Sequence, residues 1–266
     1  MLIIDTHCHA ALNWFEPIEA AIFQMDANGV SQAVLVQHNA SYDNTYLLEC
    51  TRRYPNRFKA VVLLHPQDTS KTKTLEGLHK QGAAGFRVLI RNRNEWQPND
   101  AVFKLAGDLG MVVDIIGNPD DFASANFKKL LDNCPNTQFC IEHLVRSAKP
   151  GADVAVPPHD GYKAALECAQ WPNTSVRVPG LSEIVKRPRP LPEGFPFEKW
   201  PPLFEMAKEA FGVQRMMWGS HFPACCALEG YRNALQGVRD HPAFQSGDDA
   251  EWVMGKSAAK LWGFAA

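Results

Sequence analysis

The chain has almost no net charge: 27 basic residues against 29 acidic ones leave a formal -2. Without a broad cationic field, nothing in the composition suits a nucleic-acid backbone or an anionic membrane surface. Long apolar runs are also missing. Charges, Gly or Pro interrupt every hydrophobic stretch, so none approaches the ~20 residues of a membrane helix. The seven cysteines form no CxxC pair, and this odd, scattered set points to free thiols in a reducing cytoplasm. After Met1 the chain runs Leu-Ile-Ile-Asp, which reads as a buried strand and lacks the regions of a signal peptide, so a cytoplasmic protein is expected. No glycine-rich phosphate loop follows any strand-like run, and no internal repeat is evident. What these absences leave is a small molecule as partner, with a homo-oligomer left open.

The sequence does contain a regular alternation. Short β-rich runs at Leu2 to Thr6, Ala33 to Gln37, Phe58 to Leu63, Gly85 to Leu89, Met111 to Ile115, Gln138 to Glu142, Thr174 to Val178 and Arg215 to Trp218 are separated by amphipathic stretches. Helices are expected at Pro17 to Asn28, Thr45 to Tyr54, Ala101 to Leu109 and Leu203 to Phe211, several of them closed by Gly or Asn. Alternating strands and helices predict a parallel sheet. Eight such units in 266 residues suit a (β/α)8 TIM barrel, which needs about 250, as a single domain over 1–266. An open doubly wound sheet shares the alternation, but it ordinarily carries the phosphate loop that is absent here. Two Pro- and Gly-rich stretches, Lys149 to Asp160 and Lys186 to Pro202, follow strands at the expected C-terminal rim, where long loops line a site or merely connect elements.

Three strand ends carry histidine. Ile4-Asp5-Thr6-His7-Cys8-His9 places His7 and His9 on one face of the first strand, because side chains alternate along a strand. Two such imidazoles make half of a site for Zn or a neighbouring divalent metal. Phe139-Cys140-Ile141-Glu142-His143 ends the sixth strand in the same way, and Trp218-Gly219-Ser220-His221 ends the eighth. A lone histidine at any of these places is ordinary core. Three strand ends from the first, sixth and eighth units are harder to explain as packing, since barrel chemistry sits at the C-terminal ends of strands.

Together these segments resemble the amidohydrolase-related family of metal-dependent hydrolases, lactonases and decarboxylases, nearest its lactonase branch. Ile4 to His9 is similar to the family's IDxHxH, Gly85-Phe86-Arg87 to its GxR, and Ile141-Glu142-His143-Leu144 to its IDHLG. Trp171-Pro172-Asn173 through Gly180-Leu181 and Tyr42-Asp43-Asn44 resemble two further family stretches. The resemblance implies a TIM barrel with a divalent metal, zinc first and Mn or Fe as alternatives, held by His7, His9, His143 and His221, with His143 and His221 catalytic. Position 221 departs from the family, which has Asp there as a ligand or as the base that activates water. An imidazole can bind metal or accept a proton near pH 7, but it brings no negative charge. His159, Asp160 and Glu183 on rim loops are candidates to make good that loss, with Cys225 and Cys226 as soft ligands just past His221.

Arginines give the substrate expectation. Arg87, Arg91, Arg93, Arg146 and Arg177 all fall near the proposed rim, and guanidinium forks match carboxylates. With Tyr42, they point to a small anionic substrate. Hydrolysis of a lactone or related ester is the expectation. The alternatives are a metal-dependent decarboxylase and, because Asp is replaced at 221, a non-catalytic homologue.

Overall fold

A computed structural model describes residues 1–90, 100–145, 157–187, 189–191, 193 and 200–265. Its strands are β1 (Ile4–Cys8), β2 (Gln32–Val36), β3 (Phe58–Leu63), β4 (Ala83–Leu89), β5 (Val112–Ile116), β6 (Gln138–Ile141), β7 (Thr174–Pro179) and β8 (Met216–Gly219). All neighbours pair in parallel in the order β1 to β8. The ring closes where His9 N–H donates to Phe222 O (2.8 Å) and His221 N–H donates to His7 O (2.7 Å). This is a (β/α)8 TIM barrel.

Outside the ring, helices lay apolar stripes on the strands. Ile18–Ala27 buries Ile18, Ala21 and Met25, and Leu203–Phe211 buries Leu203, Phe204, Ala207 and Phe211, spacings that put each set on one helical face. The second helix stops at Gly212, whose φ of 69° with ψ of 149° is backbone that glycine adopts and side-chain-bearing residues avoid.

Inside the ring, side chains stack in layers. The lowest layer is apolar: Ile4, Val34, Val61, Val112, Cys140 and Met217, plugged from the strands' N-terminal ends by Trp262 and Phe264. Two residues further along β4 to β7, the same inward parity carries Arg87, Asp114, Glu142 and Arg177, all buried. A charged layer therefore lies between the apolar plug and the mouth.

The strand limits match the sequence expectation to within one or two residues. The largest shift is in β1, expected at Leu2 to Thr6 and found two residues later. Its register against β2 slips between Asp5 and Cys8. Ile4 packs inside the ring, whereas Cys8, with the same even parity, packs in the shell between strands and helices. The irregularity turns the odd-numbered His7 and His9 toward the mouth, as a bulge re-aims side chains.

Candidate active site

Four imidazoles converge at the C-terminal mouth. The His7 ring centre lies 4.9 Å from those of His9 and His143 and 5.1 Å from that of His221, and His143 and His221 are 4.8 Å apart. His9 stands 5.4 Å from His221 and stacks on Phe15 at 5.1 Å. His143 and His221 both adopt left-handed backbone, with φ of 50° and 59°. Non-glycine residues hold that conformation at a cost of order 1–3 kcal/mol, and such strain collects at functional sites. Gly219, just before His221, lies so close to β1 that a Cβ there would sit 2.6 Å from His7 Cβ.

Each ring is oriented from behind. Val36 O is 2.7 Å from His9 Nδ1, which therefore carries the proton and leaves a lone pair on Nε2. Glu183, in the short turn Leu181–Glu183 after β7, lies 2.7 Å from both His143 Nδ1 and His221 Nδ1, through one carboxylate oxygen each. Asp5 ties the β8 end to β1, accepting from Ser220 N (2.8 Å), Ser220 Oγ (2.6 Å) and Tyr231 Oη (3.0 Å).

Burial, with Arg177 and the other rings adding to it, holds His7 well below the usual imidazole range. Burial followed by His221 and Arg87 does the same to His9. Both are neutral near pH 7. For His143, burial pulls down, but Glu183 and Glu142 outweigh it and raise the group to about 9. Burial pushes Glu183 up, yet His143 and His221 hold it below the ordinary carboxylate range.

The arginines divide. Arg87 Nε and Nη2 donate to the two oxygens of Glu142 at 2.6 Å each, and Nη1 donates to Gln37 O. Arg177 Nη1 donates to Asp114 and also lies 3.0 Å from His7 Nδ1, while its Nε and Nη2 are buried with no partner among the described residues. Tyr42 sits further out, its ring 4.5 Å from that of His65. Arg91, Arg93 and Arg146 lie outside the described residues. His159 and Asp160 open the helix Asp160–Leu166, and Cys225 and Cys226 form a turn beyond His221, Cys225 buried and Cys226 exposed.

Nitrogen atoms of His7, His143 and His221 lie within 4.8 Å of one another, and His7 Nε2 is buried with no partner among the described residues. Imidazoles backed by a carboxylate or a carbonyl are the donor set of a borderline divalent ion, so these residues fit a metal. Two contacts oppose this: His143 Nε2 lies 3.4 Å from Glu142 Oε2, to which the charged ring donates, and Arg177 faces His7. A guanidinium can only donate, so while Arg177 faces His7 Nδ1 the ring proton of neutral His7 sits on Nε2. His7 joins a metal only once that contact is released. A second group, His7 with Asp114 and Glu142, lies one layer deeper and is already occupied by the two arginines.

Residues 4–264 match the amidohydrolase family. This chain belongs to that family. No curated protein matches it. Among solved structures, this chain is similar to an amidohydrolase from Burkholderia multivorans with bound zinc, at 18% identity and a TM-score of 0.79, covering 100% of both chains. It is also similar to a probable 2-pyrone-4,6-dicarboxylic acid hydrolase from Acinetobacter baumannii with citric acid bound, at 17% identity and TM-score 0.73, covering 99% of this chain and 100% of that one. A third is 5-carboxyvanillate decarboxylase from Sphingomonas paucimobilis, at 13% identity and TM-score 0.68, covering 99% of each. At such identities the likeness is one of fold.

Sequence reasoning had not found three parts of the site. Asp114 lies on the otherwise apolar β5, and Glu142 directly follows β6, where the sequence shows it only as part of a motif. Inward parity on β5 and β6 was the available signal. The Arg177 to His7 contact spans 170 residues and left no local trace.

Proposed function

We propose that this protein hydrolyses a lactone or related ester of a small carboxylate-bearing molecule. The observation that carries the reading is the convergence of His7, His9, His143 and His221 at the barrel mouth, above a buried layer of arginines and carboxylates. The solved relatives include a probable dicarboxylic acid hydrolase holding citric acid, which agrees with a carboxylate ligand. Arg177, with Arg87, Arg91, Arg146 and Tyr42, would orient that carboxylate. Among the described members of that set, Arg177 has buried donors, Nε and Nη2, with no partner.

His7, His143 and His221 would hold a divalent ion, with His9 beside them and zinc preferred to Mn or Fe. When bound, the ion would polarise the ester carbonyl. His221 either completes the donor set or serves as base. As base, its Nε2 takes a proton from water while the water oxygen bonds to the carbonyl carbon. The ring C–O bond then breaks, and the departing oxygen receives the proton. The contact between Arg177 and His7 favours a second reading, in which the His7 Nε2–H itself donates to the carbonyl oxygen as negative charge builds there.

A screen of lactones and aromatic acids, with metal analysis of protein purified without chelator, tests this. Ring opening with stoichiometric metal, lost in His9→Ala, is the expected result. No Zn, Mn or Fe and an unaffected His9→Ala variant would remove the metal. CO2 release without ring opening would make the protein a decarboxylase. An inert parent that gains hydrolysis in His221→Asp would be a degenerate homologue.

A further inference from the structure

Position 221 lacks the carboxylate that the family motif has there, yet a carboxylate stands directly behind it. Glu183 is 4% exposed. Its Oε1 lies 2.7 Å from His221 Nδ1 and its Oε2 lies 2.7 Å from His143 Nδ1. An ionised carboxylate only accepts, so both rings must present Nδ1–H to it. The turn that carries Glu183 is built closely: Gly180 leaves no room for a side chain, since a Cβ would meet Glu229 Oε1 at 2.2 Å and Ala234 Cβ at 2.9 Å. Ser182 Oγ donates to that same Glu229 oxygen. Both histidines so joined stand on left-handed backbone, where local preference would not hold them.

We infer that Glu183 is a positioning residue that holds His143 and His221 together with Nδ1–H turned to it, which leaves Nε2 on the far side of each ring, that of His143 3.4 Å from Glu142 Oε2, and returns to this site, one residue removed, the carboxylate missing at position 221. Its part in catalysis rests on the hydrolase reading above, but its part in fixing the tautomers does not. His221 is then ready to bind an ion or take a proton through Nε2, whereas His143, with Nε2 3.4 Å from Glu142 Oε2, must first give up its Nε2 proton; neither ring can turn its Nδ1–H away without disturbing the other's partner. A carboxylate that orients an imidazole from behind is conserved in effect: removing such a partner typically costs 10–100-fold in activity or metal affinity.

The test is nitrogen NMR of the full chain labelled with 15N-histidine, with signals assigned by loss in His143→Asn and His221→Asn. In the unaltered protein, both residues should show a proton-bearing Nδ1. In Glu183→Gln, the side-chain oxygen can accept from one ring while the NH2 must donate to the other, so one of the two should lose its Nδ1 proton. Hydrolysis should fall about 10–100-fold in kcat with KM within about twofold, and Glu183→Asp, too short to reach both rings, should recover part of the loss. An unprotonated Nδ1 on either ring of the unaltered protein overturns the inference even if the variant fails to fold. So does a Glu183→Gln spectrum with both tautomers unchanged. Should the tautomers shift as stated while no lactone or ester is opened by the parent, the hydrolase reading fails and the positioning role stands.

Discussion

Replacing Arg87 with Met separates two roles for that residue. Its guanidinium is buried, with 4% side-chain exposure against 0% for Glu142, and both bonds to the carboxylate are 2.6 Å. Arg87→Met would leave the Glu142 carboxylate inside the ring, with His143 Nε2 at 3.4 Å and Arg177 at 3.8 Å as its remaining cationic neighbours. Breaking one side of a buried pair costs about 3–5 kcal/mol, because the surviving charge is uncompensated. For a chain of this size each kcal/mol moves the melting temperature by roughly 2–4 °C, so a drop of roughly 6–20 °C is expected. The double variant Arg87→Met with Glu142→Leu should recover most of it, since a buried pair replaced by apolar groups is often neutral. Thermal unfolding by circular dichroism of the parent, both singles and the double gives the cycle. If Arg87→Met melts within about 2 °C of the parent while KM for a carboxylate substrate rises, the pair is not structural and Arg87 is committed to substrate.

Gly219→Ala should destabilise by about 1–3 kcal/mol, as overpacking does, because the added methyl would stand 2.6 Å from His7 Cβ; chemical denaturation measures it, and an unchanged midpoint would show that β1 and β8 can part. The exposed Cys226 thiol, brought down to about 7 by the Cys225 side chain, should be alkylated by iodoacetamide first among the seven cysteines, with a rate that rises through pH 7 and vanishes in Cys226→Ser. His143 is raised to about 9 between Glu183 and Glu142. With no metal bound, its charged form therefore adds stability that is complete below the unfolded histidine pKa of about 6.5 and disappears as pH climbs through 9. Melting in chelator at pH 6 and pH 10 should show that loss, and His143→Gln should reduce it.

The barrel was legible because its evidence is local. Each strand announces itself within five or six residues, and the stops at Gly212 and Asn28 are single-residue signals. The irregularity in β1 was not, and its effect is instructive. Simple alternation correctly placed His7 and His9 on one face but would have turned Ile4 to the opposite side, whereas the fold keeps all three inward by slipping register between Asp5 and Cys8. The amide of His7 donates to Asp5 Oδ1 at 3.1 Å within that slip, so the motif's aspartate shapes the strand that presents the motif's histidines.

The polar partners of the site were much less legible, because each joins residues far apart in the chain. Glu183 could be listed among rim carboxylates, yet nothing in Leu181-Ser182-Glu183 says that it faces His143, 40 residues earlier, and His221, 38 residues later. Arg87 and Arg177 could be placed near a mouth from strand position alone, but an inward arginine meets carboxylates before it meets substrate when the neighbouring strands supply Asp114 and Glu142 at the same height. That arrangement follows from the parity of the ring. Where adjacent strands place charge in one layer, desolvation forces those charges to pair with one another, since an unpaired charge at such depth costs several kcal/mol. One layer higher, on the left-handed ends of β6 and β8, the imidazoles of His143 and His221 reach the mouth.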